Sequence, residues 1–445
     1  SRRLPSQPPN CRSFHPSPEV QEADLPLSEP PFAGLAAASK GATLTLRART
    51  VLPMQGPPLD GGWLRLVRGR IVAVGRREPP GRVVDLGDTL LLPGLVNPHC
   101  HLEFSGIPTP LVPQQPPGGL AGWIPAVMGA RQQPGCSDVA AAIRVGLRES
   151  AAAGVTLIGE IATADPSCSY PQQGVPRLRV YRECLGLSDA RARGSLTSLR
   201  RGLDRLPSQA AGISPHAPYS VRASLAAELL RIAARRRLPV AVHLAESREE
   251  QELIQTQGGA FRQLLDSLAA WPSPAPRLLT AADWVSLACR APRAAFIHAS
   301  FLDHTAFARL ARHRNRAAVV VCPRTAALIS GRLAPVRQLL DAGIRVAIGT
   351  DGRGSAPDLS PRHEAAWLVD RGLVSPAEAL MMLTTSAAWA VGCEHAAGRL
   401  IPGRPADLTI LAPECVSADP YADVLAPSTR VVATLRSSEP IFFSA

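Results

Sequence analysis

The sequence predicts an α/β protein: a (β/α)8 barrel of the TIM type with a small β-sandwich domain formed from both termini. Short apolar segments alternate with amphipathic helical segments through the middle of the chain, which favours a parallel sheet. Eight such strand segments can be counted, and eight is the number that closes a barrel of this type. β-rich segments separated by Gly and Pro occupy both ends of the chain.

The eight predicted barrel strands are Leu92–His101, Val155–Ile161, Leu178–Leu185, Gly212–Pro218, Val240–Glu246, Ala295–Ser300, Ala318–Arg324 and Arg345–Asp351. Helical segments lie between them; in Arg222–Arg237, for example, Leu225 and Leu229 recur at helical spacing. An open, doubly wound sheet is the alternative, but its phosphate-binding G-x-G-x-x-G opening is absent after the first strand. The region Ile254–Leu287 adds length after the fifth strand, as a lid or as a longer helical excursion.

These patterns divide the chain into four predicted segments. Residues 1–43 are rich in Pro and Ser and lack periodic apolar spacing, so we expect a disordered Pro-rich leader there. Residues 44–92 and 401–445 are expected to form the two parts of the small β domain, and residues 93–400 the barrel.

The bulk composition narrows the class of protein. The 445 residues are 46% hydrophobic, enough for a large buried core. The net charge of +12 is spread over arginines without a run of five or six basic residues, and aromatic residues make up only 4%, so we expect no nucleic-acid partner. No apolar stretch approaches the ~20 residues that span a bilayer, so we expect no membrane partner. Nine cysteines without a C-x-x-C pair predict free thiols in a reducing cytoplasm.

Several histidines and one aspartate come at the carboxyl ends of predicted strands, where a barrel of this type carries its active site. His99 and His101 are two residues apart on a strand, so both imidazoles face the same side. His243 ends the fifth strand and Asp351 the eighth, and a carboxylate in that position is unfavourable unless it is paired or bound to a metal. This combination predicts a metal centre.

Three histidines and one aspartate suit Zn²⁺ or Fe²⁺ better than Mg²⁺, and we expect Zn²⁺. The only lysine of the chain, Lys40, lies outside the predicted barrel. A pair of metals bridged by a carboxylated lysine is therefore excluded, and one divalent ion is expected.

Two further polar groups lie at the ends of the fifth and sixth predicted strands. Glu246 follows His243 by three residues and would lie at the barrel mouth, although a helix-terminal acid beside a capping Ser247 is the alternative. His298 ends the sixth strand in the segment AAFIHAS.

Seven segments together resemble the amidohydrolase superfamily, in particular its branch of chlorohydrolases and heterocycle deaminases. The segments are PGLVNPHCHLEFS, ISPHAPYSV, VHLAESREE, FIHAS, VCPRT, GTDGRGSAPDLS and GRLIPGRPADLTIL. They occur in the family's order over about residues 44–412. That branch acts on guanine, adenosine-type, aminofutalosine and s-triazine substrates.

The resemblance implies a role for each residue that matches a family motif. It implies that His99, His101, His243 and Asp351 bind the metal. Glu246 would shuttle protons, and His298 would polarise the attacked centre or the water. Asp351 would also accept a proton, and His216 would contact the substrate.

The chain departs from the family pattern at two places near the substrate. Gly352 stands where relatives often carry Ser, and Ala326 and Ala327 follow VCPRT where a polar residue is usual. Because of these departures, the identity of the substrate does not follow from the resemblance. Further candidates for substrate contact at the rim are Arg353, Arg324, Glu103 and Trp123.

The function predicted from the sequence is hydrolytic deamination of a small heterocyclic or nucleoside-like substrate by metal-activated water. Hydrolysis of an amide, an imide or a C–Cl bond by the same machinery is an alternative. A catalytically inactive amidohydrolase-like scaffold is an alternative of another class. The resemblance also implies a possible homodimer.

Overall fold

The computed structural model describes residues 43–77, 81–115, 118–163, 170–171 and 173–444. The predicted Pro-rich leader, apart from residue 43, lies outside these described residues. Strands β1 to β18 are, in chain order, Leu44–Arg47, Thr50–Val51, Leu59–Asp60, Trp63–Val67, Arg70–Gly75, Val83–Asp85, Leu90–Pro93, Leu95–Cys100, Val155–Ala162, Arg177–Cys184, Ala211–Pro215, Val240–Leu244, Ala294–His298, Ala317–Val321, Arg345–Ile348, Leu408–Ala412, Arg430–Arg436 and Glu439–Phe443.

A 3-10 helix covers Leu102–Phe104. Helices α1 to α14 are, in chain order, Gly119–Ala130, Val139–Ala152, Asp189–Arg205, Ala223–Arg236, Arg248–Thr256, Gly259–Ser267, Ala281–Ala288, His304–Arg312, Pro323–Ile329, Val336–Asp341, Pro361–Asp370, Pro376–Leu383, Thr385–Ala390 and Pro420–Leu425.

The predicted barrel is confirmed. Strands β8 to β15 form one parallel sheet in which each strand pairs with its neighbours in the sequence. Most of these strands are short runs of apolar residues buried on both faces, as β14 (AAVVV) is, because side chains fill the interior and helices cover the exterior. All eight strands coincide with the predicted segments to within a few residues.

The barrel closes where its first strand meets its last. The backbone N–H of His101 donates to the carbonyl of Asp351 over 2.6 Å, and the N–H of Asp351 donates to the carbonyl of His99 over 3.2 Å. Below this pair, the side-chain amide of Asn97 donates to the hydroxyl of Thr350 over 2.8 Å, and the N–H of Thr350 donates to Asn97 Oδ1 over 3.2 Å. We call these contacts the closing seam.

The small β-sandwich from both ends of the chain is also confirmed. One sheet has the order β5-β4-β1-β6, and the other has the order β18-β17-β16-β7-β2-β3, so strands from both ends share it. Leu46 and Leu64 of the first sheet pack with Leu91, Ile410 and Leu435 of the second in one buried cluster. The exact bounds of the four predicted segments stay a prediction.

The extra length after the fifth strand folds into the end of α5, the whole of α6 and most of α7. Phe261 of α6 stacks on Tyr219 at a ring-centroid distance of 4.2 Å. Since Tyr219 follows the strand β11 at its carboxyl end, this excursion packs at the rim that carries the site.

Among the described helices, none is long and apolar enough to cross a membrane. The cysteines within the described ranges are free thiols, as the sequence predicted.

Gly159 of β9 lies against β8, the strand that contains His99 and leads to His101. A Cβ at Gly159 would lie 2.2 Å from the backbone oxygen of Pro98. We expect Gly159→Ala to lower the free energy of unfolding by roughly 1–3 kcal/mol, because backbone atoms cannot yield as a flexible side chain can. Urea denaturation measures it.

Gly194→Ala is the matched control for this substitution. Nothing lies within 4 Å of a Cβ at this position of α3, so alanine should leave stability unchanged or raise it by up to ~1 kcal/mol. Equal effects of the two substitutions would contradict the close approach at Gly159.

Candidate metal centre and active site

Three strand ends bring the four predicted metal ligands together at the carboxyl rim of the barrel. His99 lies in β8, His101 directly follows it, and His243 lies in β12. Asp351 follows β15 and has a φ of 62°. A positive φ is uncommon for a residue with a side chain, and here it occurs where the closing seam turns the chain away from the strand.

The side-chain atoms of these residues converge. His99 Nε2 lies 3.2 Å from Asp351 Oδ1, and His101 Nε2 lies 3.6 Å from the same oxygen. The Nε2 atoms of His101 and His243 are 3.4 Å apart. Ligand atoms of His99, His243, His298 and Asp351 also lie within 4.8 Å of one another. All five side chains are buried.

This donor set fits a metal ion. Burial lowers the pKa values of His99, His101 and His243, so these imidazoles are neutral and present lone pairs. Ligands about 2.0–2.1 Å from a tetrahedral ion lie roughly 3.4 Å from one another, which agrees with the separations given above. Lone pairs of ring nitrogens and a carboxylate oxygen this close together repel one another unless a cation or a shared proton lies between them.

The tautomer of His243 is set by its neighbour. His243 Nδ1–H donates to the carbonyl of His216 over 3.0 Å, which leaves the Nε2 lone pair directed into the cluster. Such a hydrogen bond to the far nitrogen is usual for metal-binding histidines.

Glu246 lies beside His298, with 3.4 Å between Glu246 Oε1 and His298 Nε2. The carboxylate of Glu250 holds this turn, because it accepts the backbone N–H of Ala245 over 2.8 Å and that of Glu246 over 3.2 Å. Ser247 also caps α5, as the alternative interpretation of Glu246 required. Burial raises the pKa of Glu246 well above its usual range, and the charge of Asp351 raises it further.

His216 borders the cluster, with its ring centroid 5.1 Å from that of His243. Its Nδ1 lies 2.6 Å from the hydroxyl of Ser220, and its Nε2 lies 3.9 Å from Glu183 Oε1. The ring also lines a cavity of about 200 Å³ whose other walls include Leu187 and Phe261. His216 therefore connects the polar cluster with an apolar space.

The other rim candidates are held by protein partners. The guanidinium of Arg324 donates to Asp358 over 2.8 Å and to the fully buried Glu364 over 2.6 Å. Arg353 donates to the carbonyl of Pro108 over 2.7 Å and lies 3.5 Å from Glu149. These contacts fasten loops at the barrel mouth.

Glu103 and Trp123 are similarly engaged. Glu103 accepts from Arg131 and from the hydroxyl of Thr163, each over 2.7 Å. The indole of Trp123, on α1, donates to the carbonyl of Gly354 over 3.1 Å. Because Gly354 is three residues after Asp351, α1 lies close to the cluster of histidines and Asp351.

Sequence reasoning missed three residues that surround the cluster. The hydroxyl of Ser355 donates to Asp351 Oδ2, and Glu250 holds the turn before Glu246. Glu183 Oε1 is buried without a hydrogen-bond partner among the described residues, and burial raises the pKa of Glu183 to about 8. Glu183 lies near the carboxyl end of β10, but this strand (RLRVYREC) carries three arginines, so it lacks the apolar run that identified Asp351.

The chain belongs to the amidohydrolase family, whose sequence profile matches residues 90–440. The resemblance drawn from the motifs is therefore confirmed, and with it the prediction of a hydrolase.

Known proteins similar to the chain include deaminases. A 5-methylthioadenosine/S-adenosylhomocysteine deaminase from Moorella thermoacetica is 27% identical over 385 residues, 81% of this chain and 84% of that protein. The structure of Helicobacter pylori aminofutalosine deaminase in complex with methylthio-coformycin has a TM-score of 0.76 at 20% identity, covering 89% of this chain and 100% of that one. Arthrobacter aurescens atrazine chlorohydrolase complexed with zinc has a TM-score of 0.71 at 19% identity, covering 89% and 94%. These two structures share the fold.

The contacts of Arg324 generate a test of its role. Arg324→Met leaves Glu364 buried without its cation, so we expect the free energy of unfolding to fall by roughly 3–5 kcal/mol. In the double variant R324M/E364Q the free energy of unfolding should fall clearly less, because the buried carboxylate of Glu364 is removed together with its cation. Urea denaturation of both variants measures this. An R324M variant that keeps its stability and changes only KM would show that Arg324 contacts the substrate instead.

Proposed function

We propose that this chain is a metal-dependent aminohydrolase that deaminates a small heterocyclic or nucleoside-like substrate. One observation carries the proposal: three neutral imidazoles and a carboxylate converge on one point of the barrel rim, with Glu246 and His298 directly beside it. Such a cluster has the parts needed to activate water and to move a proton.

We assign His99, His101, His243 and Asp351 as the metal ligands and infer Zn²⁺, with Fe²⁺ as the alternative. Nitrogen and carboxylate ligands suit both ions, and the similar chlorohydrolase structure is complexed with zinc. No lysine is present to bridge two ions within the barrel, so a single ion is proposed. A divalent ion bound there would lower the pKa of a water molecule to roughly 7, which makes hydroxide available at neutral pH.

The protein's own groups then handle protons and charge. Asp351 Oδ2 accepts a hydrogen bond from Ser355, which orients the carboxylate as it takes a proton from the attacking water. Glu246, kept protonated by its burial, donates its proton to a ring nitrogen of the substrate. The resulting carboxylate takes the proton of the added hydroxyl group and passes it to the leaving amine, and the proton held by Asp351 then restores Glu246. His298 stabilises the charge that develops at the attacked carbon.

The substrate class is inferred from the surroundings of the cluster and from the relatives. His216 lies between the cluster and the apolar cavity of about 200 Å³, which suits a ring at the cluster with an apolar group extending past His216. The relative from Moorella acts on adenosine derivatives, according to its name. We therefore propose an adenine-type nucleoside or a related heterocycle.

Deamination is favoured over the two alternatives. The first eight relatives found by sequence are all deaminases, whereas a C–Cl hydrolase is similar in fold only. An inactive scaffold would be expected to lack ligands, and here every predicted ligand reaches the cluster. The homodimer and the cytoplasmic location stay predictions.

Release of ammonia tests the proposal directly. Purified protein loaded with Zn²⁺ is incubated with purines, pyrimidines, s-triazines and nucleosides, and ammonia is measured with a coupled enzyme. We expect release from at least one adenine-type compound. Chloride release or amide cleavage without ammonia would favour the alternative hydrolases, and no product from any class would favour the inactive scaffold.

Substitution of Glu246 separates proton transfer from metal binding. Glu246→Gln keeps size and polarity but removes the transferable proton, so we expect wild-type metal content and a kcat lower by ~10²–10⁴. Glu252→Gln, an exposed position on the helix that follows Glu246, is the matched control and should retain full activity. Unchanged turnover in E246Q would remove Glu246 from the mechanism.

A second pair of variants tests which histidine completes the ligand set. His101 and His298 both lie near the other three proposed ligands, His99, His243 and Asp351. We expect His101→Ala to lose most of its bound metal in elemental analysis after dialysis. His298→Ala should keep the metal while kcat falls by ~10²–10³, since its role is to stabilise charge. The reverse pattern would make His298 the ligand.

A further inference from the structure

A pocket lined by arginines lies at the opposite end of the barrel from the metal cluster. Arg345 is the first residue of β15, the strand whose carboxyl end leads to Asp351. Arg314 precedes β14, and Arg399 and Arg404 lie between α13 and β16. These four arginines line one cavity of about 520 Å³, which we call the basic pocket.

The charge of the basic pocket is not balanced. Among the residues that the structure describes, Arg314, Arg345 and Arg399 form no ion pair, and Arg404 donates to the carbonyl of Ala397 over 2.8 Å. The one acidic residue that lines the pocket, Glu394, is already paired with Arg293 outside it. Elsewhere in the described chain many arginines have carboxylate partners, as Arg324 and Arg337 do.

Arg345 of the basic pocket and Arg293, just outside it, pack on the same tryptophan in spite of their like charges. The guanidinium groups of Arg345 and Arg293 lie 4.2 Å and 4.4 Å from the ring centroid of Trp389. Burial lowers the pKa of Arg345, and the positive charges of Arg293 and Arg399 lower it further. The packing on Trp389 therefore keeps Arg345 in place before any anion arrives, which reduces the ordering that binding requires.

We propose that the basic pocket is a binding site for a small phosphorylated metabolite, separate from the metal centre. Guanidinium groups bind phosphate oxygens through paired N–H donors, and a dianion would relieve the repulsion among four cations. The cavity lies within the ~300–1,000 Å³ typical of small-molecule sites, so an organic part has room beside the phosphate. The half-exposed Met381 and the buried Ile344 supply an apolar wall for it.

A concave pocket favours a small molecule over a nucleic acid, because a nucleic-acid strand requires an extended basic surface. The proposal is independent of the reaction at the metal centre, since it uses none of the residues placed there.

Calorimetric titration with glycerol 2-phosphate and with inorganic phosphate tests the proposal, at an ionic strength held constant with chloride. We expect saturable binding by the wild-type chain. Loss of two charge-assisted contacts in R345Q/R399Q should weaken it at least ~10-fold. R144Q/R201Q removes the same charge from exposed positions on α2 and α3 and should bind as the wild type does.

Substitution of Arg345 also removes its packing on Trp389, so the exposed Arg399→Gln alone is measured as well and should weaken binding without changing the melting temperature. Absence of saturable binding by the wild type would overturn the proposal, and so would equal weakening in R144Q/R201Q. Tighter binding of a thymidine 20-mer than of glycerol 2-phosphate, dependent on Arg345 and Arg399, would overturn it in favour of a nucleic-acid surface.

Discussion

The site depends on the hydrogen bonds that close the barrel between its first and last strands. His101 donates its backbone N–H to Asp351 over 2.6 Å, and Asp351 donates its own to His99 over 3.2 Å. Three of the proposed metal ligands are thus neighbours through their backbones, and their side chains meet whenever the barrel is closed. Asn97 and Thr350 bond to each other just below. The same contacts therefore close the fold and assemble the cluster.

The remaining groups are delivered by buried strands and held by their neighbours. His243 is oriented by the carbonyl of His216, and Glu246 by the turn that Glu250 holds. Burying several imidazoles and carboxylates at one point is unfavourable for folding. The short, buried apolar strands of the barrel and the packing of its helices offset this, which is the usual relation between a scaffold and a strained functional site.

The two ends of the barrel differ in their electrostatics. At the carboxyl end, neutral imidazoles and acids form the candidate metal site, and α1 lies close to it. At the amino end, the arginines around Trp389 form a positively charged cavity. In barrels of this type the residues at the amino end usually contribute to the stability of the fold. Like charges without ion-pair partners repel one another, so the arginines of the basic pocket do not stabilise the fold by their charge. Since Arg345 begins β15 and Asp351 follows the other end of this strand, one strand connects the two regions.

The sequence by itself determined the eight strands, the sandwich formed from both ends of the chain, the family and the histidines and aspartate that converge at the carboxyl rim. It could do so because strand periodicity and the step from an apolar run to a polar residue are local properties. Only the tertiary structure decided what Arg324, Glu183 and Ser355 contact. Arg324 meets Glu364 40 residues away, and no local pattern records such a pairing. For the same reason Arg324, which the sequence offered as a substrate contact, is engaged by carboxylates. Four arginines that form no ion pair within the described part of the chain instead line one pocket at the far end of the barrel.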